Sequence, residues 1–193
     1  MSTTLPMEQE KENSLPQSKR VFAGLVFPQS GYPLFYCIVS EKKTESKGFE
    51  EAEPEIEIIK EGEAKTLTEL YKELKTFKDL KCSTIYIQPE KKYANYVRDI
   101  NKWKRKENID LRFKATTCLS FESGILKIKE FVQEKRLGFQ KESTIRGQLA
   151  IFSRLSLEKE DEFYAVKSLC LVINSFNRRN QKTEEELDKS SWW

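Results

Sequence analysis

The stretch NKWKRKENIDLRFK, residues 101–114, sets Lys102, Lys104, Arg105, Lys106, Arg112 and Lys114 close together, with Trp103 and Phe113 between them. Cations interleaved with aromatic rings can track a phosphate backbone and stack a base. Lys102, Trp103, Lys104, Arg105, Lys106 and Arg112 are therefore candidate nucleic-acid contacts. The same residues also read as the solvated C-terminal end of a helix, where positive charge is favoured, with Trp103 closing the apolar face. A second basic group, Lys135, Arg136, Lys141 and Arg146, falls in loops.

Much other chemistry is excluded. The chain contains no histidine, and Cys37, Cys82, Cys118 and Cys170 are far apart, with no CxxC pair. Zinc sites, haem attachment and a histidine-based triad are ruled out. Each cysteine lies in or beside an apolar run, which predicts four reduced, buried thiols in a cytoplasmic protein. There is no GxxxxGK[ST] segment, so the chain is not itself a nucleotide-driven motor. With 34 Lys+Arg against 31 Asp+Glu, the net charge is +3 over 193 residues. A basic surface for a polyanion must then be local. No small-molecule cofactor and no membrane partner are expected, and nothing reaches the roughly 18 apolar residues of a transmembrane helix.

The elements that must position these groups follow from the periodicity. Val21 to Val26 and Leu34 to Val39 predict two strands around the turn PQSGYP, and EIEIIKE predicts a third from Ile56 to Ile59. The period then changes. TLTE, from Thr66 to Glu69, is a capping box ahead of Leu67, Leu70, Tyr71, Leu74 and Phe77 at helical spacing. CSTIYIQPE predicts a strand covered on both faces. Lys91 to Lys106 predicts a helix, and IDLRFKA a strand from Ile109. SGILKIKEFVQ predicts another helix, Leu137 to Phe139 a short extended piece, and Leu149 lies in a short helix. A long helix follows from about Glu158, with Phe163, Val166, Leu169, Cys170, Ile173 and Phe176 apolar. One domain is expected over residues 21–176, after a disordered leader at 1–20 and before a flexible tail at 177–193 that ends in Trp192 and Trp193.

A three-strand meander, then helix, strand, helix, strand and closing helices, is the element order of the ribonuclease H-like fold, an α/β class with a mixed sheet. The segments SGILKIKEFVQEKRLGF, RGQLAIF and KEDEFYAVKSL, together with FAGLVFPQSG, resemble the nuclease domain of phage large terminase subunits. The resemblance implies a role in phage DNA packaging, with packaging proteins as partners beside DNA, in a bacterial host cytoplasm. It also implies a phosphodiester chemistry in which carboxylates from separate elements hold two divalent ions about 4 Å apart.

Carried over residue by residue, that ligand set is incomplete. The first-strand carboxylate falls at Val26 or Phe27, neither of which binds a metal, and the fourth-strand position falls at about Gln88, with Glu90 as a substitute. Only Asp161, flanked by Glu160 and Glu162, keeps an acidic residue ahead of the last helix. If the site is active, Asp161, Glu90 and Glu162 are its catalytic carboxylates, Asp161 and Glu90 hold Mg or Mn, and Glu41 or Glu122 moves in. Without function, an acidic run at a helix N-terminus is favoured by the helix dipole alone.

Three classes of function stand at this point. The first is a degenerate ribonuclease H-like domain, not an enzyme, with a DNA-binding or scaffolding role. The second is a Mg- or Mn-dependent DNA endonuclease with a non-standard carboxylate set. The third is a protein-interaction module unrelated to nucleic acid. The missing first-strand carboxylate favours the first.

Overall fold

The computed structural model describes residues 19–27, 33–42, 54–88, 94–115, 121–152 and 163–180. Along the chain these form β1 (Arg20–Val26), β2 (Leu34–Lys42), β3 (Glu55–Ala64), α1 (Leu67–Asp79), β4 (Cys82–Ile87) and α2 (Ala94–Lys106). There follow β5 (Arg112–Ala115), α3 (Phe121–Gln133), β6 (Leu137–Gly138), α4 (Thr144–Ile151) and α5 (Tyr164–Asn180). The strands make one sheet in the order β5-β4-β1-β2-β3-β6. β2 pairs antiparallel with β1 and β3, whereas β1 with β4, β4 with β5 and β3 with β6 are parallel. A central first strand, flanked by its own meander on one side and two parallel strands on the other, is the ribonuclease H-like arrangement that the element order predicts.

Alternation along the strands sends successive side chains to opposite faces. Phe22, Val26, Cys37, Val39 and Tyr86 join a core with residues of α3, α4 and α5. Val21, Ala23, Leu25, Leu34, Tyr36, Ile85 and Ile87 join a second core with Leu70, Leu74 and Phe77 of α1 and Val97 and Ile100 of α2. The sheet is thus covered on both sides, as CSTIYIQ requires.

α5 is buried on nearly every side, so it is a core element and not an amphipathic cover. Its two buried hydroxyls are satisfied locally: Ser168 donates to the Ala165 carbonyl at 2.7 Å and Ser175 to the Val172 carbonyl at 2.6 Å. A Cβ on Gly24 of β1 would come within 1.9 Å of the Ser168 carbonyl oxygen. Glycine there lets the helix backbone rest against the strand. Tyr164 stacks on Phe35, the cross-strand partner of Val26, at 5.9 Å, and Phe176 meets Phe22 edge-on at 5.6 Å. α5 therefore runs antiparallel to β1 and begins above its C-terminal end.

Several boundaries depart from the periodicity. β3 continues past Ile59 to Ala64, because β2 supplies partners as far as Leu34 and a bulge opposite Ile38 and Val39 absorbs one residue. β5 begins at Arg112 and not Ile109. The Ile109 N–H bonds back to the Lys104 carbonyl at 3.0 Å, and Asn108 takes a left-handed φ of 52° to close α2. α5 opens at Tyr164, with Phe163 outside the helix, and not near Glu158. It runs to Asn180.

Candidate functional site

The terminase resemblance carries its first-strand and fourth-strand carboxylates to the place where β1 and β4 end side by side. Leu25 pairs with Ile87, so Val26 and Gln88 are next neighbours across two strands that lie about 4.8 Å apart. Val26 is 4% exposed and belongs to the core beneath α5, with Phe35 opposite it on β2. Gln88 is half-buried and lies two residues beyond Tyr86, on the same face. Hydrocarbon and a neutral amide stand at the two positions to which the resemblance carries carboxylates.

The remaining proposed ligands, Glu90, Asp161 and Glu162, lie outside the described residues. Their described neighbours, Gln88 and Phe163, sit at this same end of the sheet. Phe163 packs edge-on against Phe152 at 5.1 Å, and Phe152 against Phe121 at 5.8 Å. Among the described residues no group of three or more acidic or sulfur-bearing side chains is placed to hold a metal ion. The described donors therefore do not fit a two-ion centre. Glu41 is remote from it. It is buried and accepts a 2.8 Å bond from Arg20 at the opposite end of the β1–β2 ladder, six residues or about 20 Å from Val26.

The basic run is split by the sheet. Trp103 stacks flat on Tyr71 of α1, with ring centroids 4.6 Å apart and planes 4° from parallel. It closes the apolar face, with one side of its ring taken by Tyr71. Lys104 donates to the Leu111 carbonyl and lies 5.7 Å from the Phe113 ring centre. Burial pulls the Lys104 ammonium below its usual range, so this cation is partly committed to the fold. Lys102, Arg105 and Lys106 are exposed on α2. Arg112 and Lys114 are exposed on β5, where alternation turns them away from Phe113 and toward the α5 face. In the second basic group, Arg136 lies 4.2 Å over the Phe131 ring and bonds Glu134, which is a packing role.

Several polar contacts have no signal in local spacing. Gln148 of α4 accepts from the Val166 N–H at 3.1 Å, satisfying a donor that the first turn of α5 leaves open. The Ser143 hydroxyl, the N-cap of α4, donates to Glu61 of β3 at 2.9 Å, and the Thr144 N–H bonds the same carboxylate. On the other face Tyr36 and Lys60 both donate to Glu73 of α1, at 2.7 and 2.5 Å. Burial pushes the Glu73 carboxyl up, but bonds from Lys60 and Tyr36 and the Lys60 charge prevail and hold it below its ordinary value. The Tyr36 phenol is driven well up, by burial and then by Glu73. Cys118 lies outside the described residues. Cys37, Cys82 and Cys170 are buried and form no disulfide, and burial raises the first two to about 12. They are core groups, not nucleophiles.

No protein-family model matches the chain, and no curated protein matches it. Among solved structures it is similar to the RuvC structure of Thermus thermophilus, at 13% identity, covering 84% of this chain and 97% of that one with a TM-score of 0.45. The yeast mitochondrial Holliday junction resolvase Ydc2 is similar at 10% identity, over 83% of both chains, with a TM-score of 0.40. T. thermophilus RuvC in complex with Holliday junction substrate is similar at 9% identity, over 83% of this chain and 96% of that one, with a TM-score of 0.41. At such likeness the fold assignment rests on the strand order and register given above. Among the described residues no helix is long and apolar enough to cross a membrane.

Proposed function

We propose that this chain is a ribonuclease H-like domain that no longer cleaves phosphodiesters and is kept for binding DNA. The observation that carries the reading is Val26, 4% exposed in the core at the end of β1, with Gln88 beside it. A two-ion centre needs a carboxylate that both ions share, and an isopropyl group cannot replace it. The exposed cations of α2 and β5 supply the local positive surface that a polyanion requires. A place in phage DNA packaging, beside a separate motor chain, rests on the terminase-like segments alone. In one of them Gln148 already has a structural task, capping α5.

The test is nicking of supercoiled plasmid in millimolar Mn²⁺ or Mg²⁺, run beside Asp161→Ala and with a DNA-binding titration at two salt concentrations. No nicking above background together with salt-dependent binding is the expected result. Mn²⁺-dependent nicking that disappears in Asp161→Ala would overturn the reading and show that Glu90, Asp161 and Glu162 assemble a working site. Neither cleavage nor binding would overturn it in favour of a protein partner.

A further inference from the structure

We infer that the DNA-contacting track is the β5 edge of the α5 face, through Arg112 and Lys114, and that its occupant is the phosphate backbone of duplex DNA. This rests on the DNA-binding reading above and narrows it to one surface and one form of nucleic acid.

The argument starts from register. Phe113 packs into the core on the α1 and α2 side, so Arg112 and Lys114 point to the other face. There Arg112 lies beside Thr84, and Lys114 beside Tyr86, whose ring belongs to the core under α5. This is also the face of Val26 and Gln88. Lys114 is level with Tyr86, two residues short of Gln88 and one strand across. A backbone resting on Lys114 would therefore lead toward the end of β1 and β4. The cations of α2 lead elsewhere, since their helix covers the opposite face.

Both side chains are exposed, and neither is paired with a carboxylate among the described residues. Two positions apart on a strand, they stand about 6.6 Å from one another, comparable to one step between phosphates. β5 is the outermost strand of the sheet on that side, so no described strand shields them. By contrast, Lys104, Arg105 and Lys106 sit in the last turn of α2, where they offset its carbonyl end. A phosphate placed there would meet those carbonyls.

The duplex follows from what the face lacks. Binding of single strands relies on exposed rings that stack on bases. On this face the described rings near the track, Phe22 and Tyr86, are 6% and 4% exposed. Trp103 and Phe113 belong to the other side. Two cations with no stacking platform among the described residues suit a backbone whose bases are already paired, and they carry no sequence information.

The experiment is fluorescence anisotropy with a 20-base-pair duplex and the matching single strand across a KCl series. It compares the full chain, Arg112→Ala/Lys114→Ala, and Lys102→Ala/Arg105→Ala/Lys106→Ala. All substituted side chains are exposed, and thermal melts confirm folding. The β5 double variant is expected to lose about tenfold in duplex affinity at low salt. Its log–log salt slope should become shallower by about 1.8, two phosphates at 0.9 each. The α2 triple variant should lose less than about threefold, through long-range charge alone. A larger loss in the α2 variant, or a preference for the single strand, would overturn this inference while leaving DNA binding standing. No binding of the unaltered chain to either probe would overturn both.

Discussion

The two faces of the sheet are held by different means. On the α5 side the helix backbone touches the strand at Gly24, and Gly124 of α3 also lies close to α5, where a Cβ would fall 2.8 Å from the Cys170 Cβ. On the α1 side the contact is made by side chains, Leu70, Leu74 and Phe77, with the polar Tyr36–Glu73–Lys60 group between helix and sheet. The first face has little room to give, whereas an amphipathic helix on a surface can settle by small shifts. The lesson is that the α5 face of the sheet, where Val26 also lies, tolerates little added volume.

Gly24→Ala should be the sharpest test of that contrast. Its Cβ would overlap the Ser168 carbonyl, so α5 must be displaced, and a loss of about 4 kcal/mol is expected, beyond the usual range for overpacking. Chemical denaturation measures it, and a loss no greater than that of Leu74→Ala would erase the distinction between the faces.

Val26→Asp restores the missing carboxylate to that same tight face, and burying it should cost about 3 kcal/mol at neutral pH. Burial raises the folded-state pKa of such a group, so the lost stability should return as the pH falls and the carboxyl takes up a proton. A rise in melting temperature with Mn²⁺ in this variant, absent from the unaltered chain, would mean that the rest of a metal site is still in place.

Leu74→Ala on the opposite face opens a cavity beneath α1. The expected loss is about 2.5 kcal/mol, toward the low end for a buried leucine because the helix can partly collapse onto the space.

The smallest effect belongs to Glu73. Its folded carboxyl is held below the ordinary value, so its contribution is present above the unfolded pKa of about 4.3 and is lost as pH falls through the folded value. Glu73→Gln should cost about 1 kcal/mol near neutrality and flatten the acid limb of the stability curve. An unchanged acid limb would show that Tyr36 and Lys60 do not favour the ionised form.

Much of the fold was legible in order and period. The capping box at Thr66 forms, with the Thr66 hydroxyl accepting from the Glu69 N–H at 3.2 Å. The Glu69 side chain returns to the Lys65 N–H at 2.6 Å, one residue earlier than the box prescribes. Each predicted strand forms, with β3 longer and β5 later than alternation places them, and their order is that of the predicted class. The candidate site was legible only as a vacancy: Val26 and Gln88 can be read as non-ligands from their chemistry. Which sides Trp103 and Phe113 take was not legible, because an amphipathic helix and a strand each turn alternate residues to opposite sides, and a run of letters does not say which side is wet.

What the sequence by itself determined is what nearest neighbours along the chain enforce: where α1 begins, which strand residues share a face, and the absence of histidine and of a carboxylate at the end of β1. What only the tertiary structure decided depends on residues far apart in the chain. Gln148 caps α5 across 18 residues, and Glu61 meets Ser143 across 82. Trp103 is taken by Tyr71, and Arg112 and Lys114 share a face with Val26 because β5 pairs with β4 and β4 with β1. Periodicity is local, but partners are chosen by packing, which local spacing does not encode.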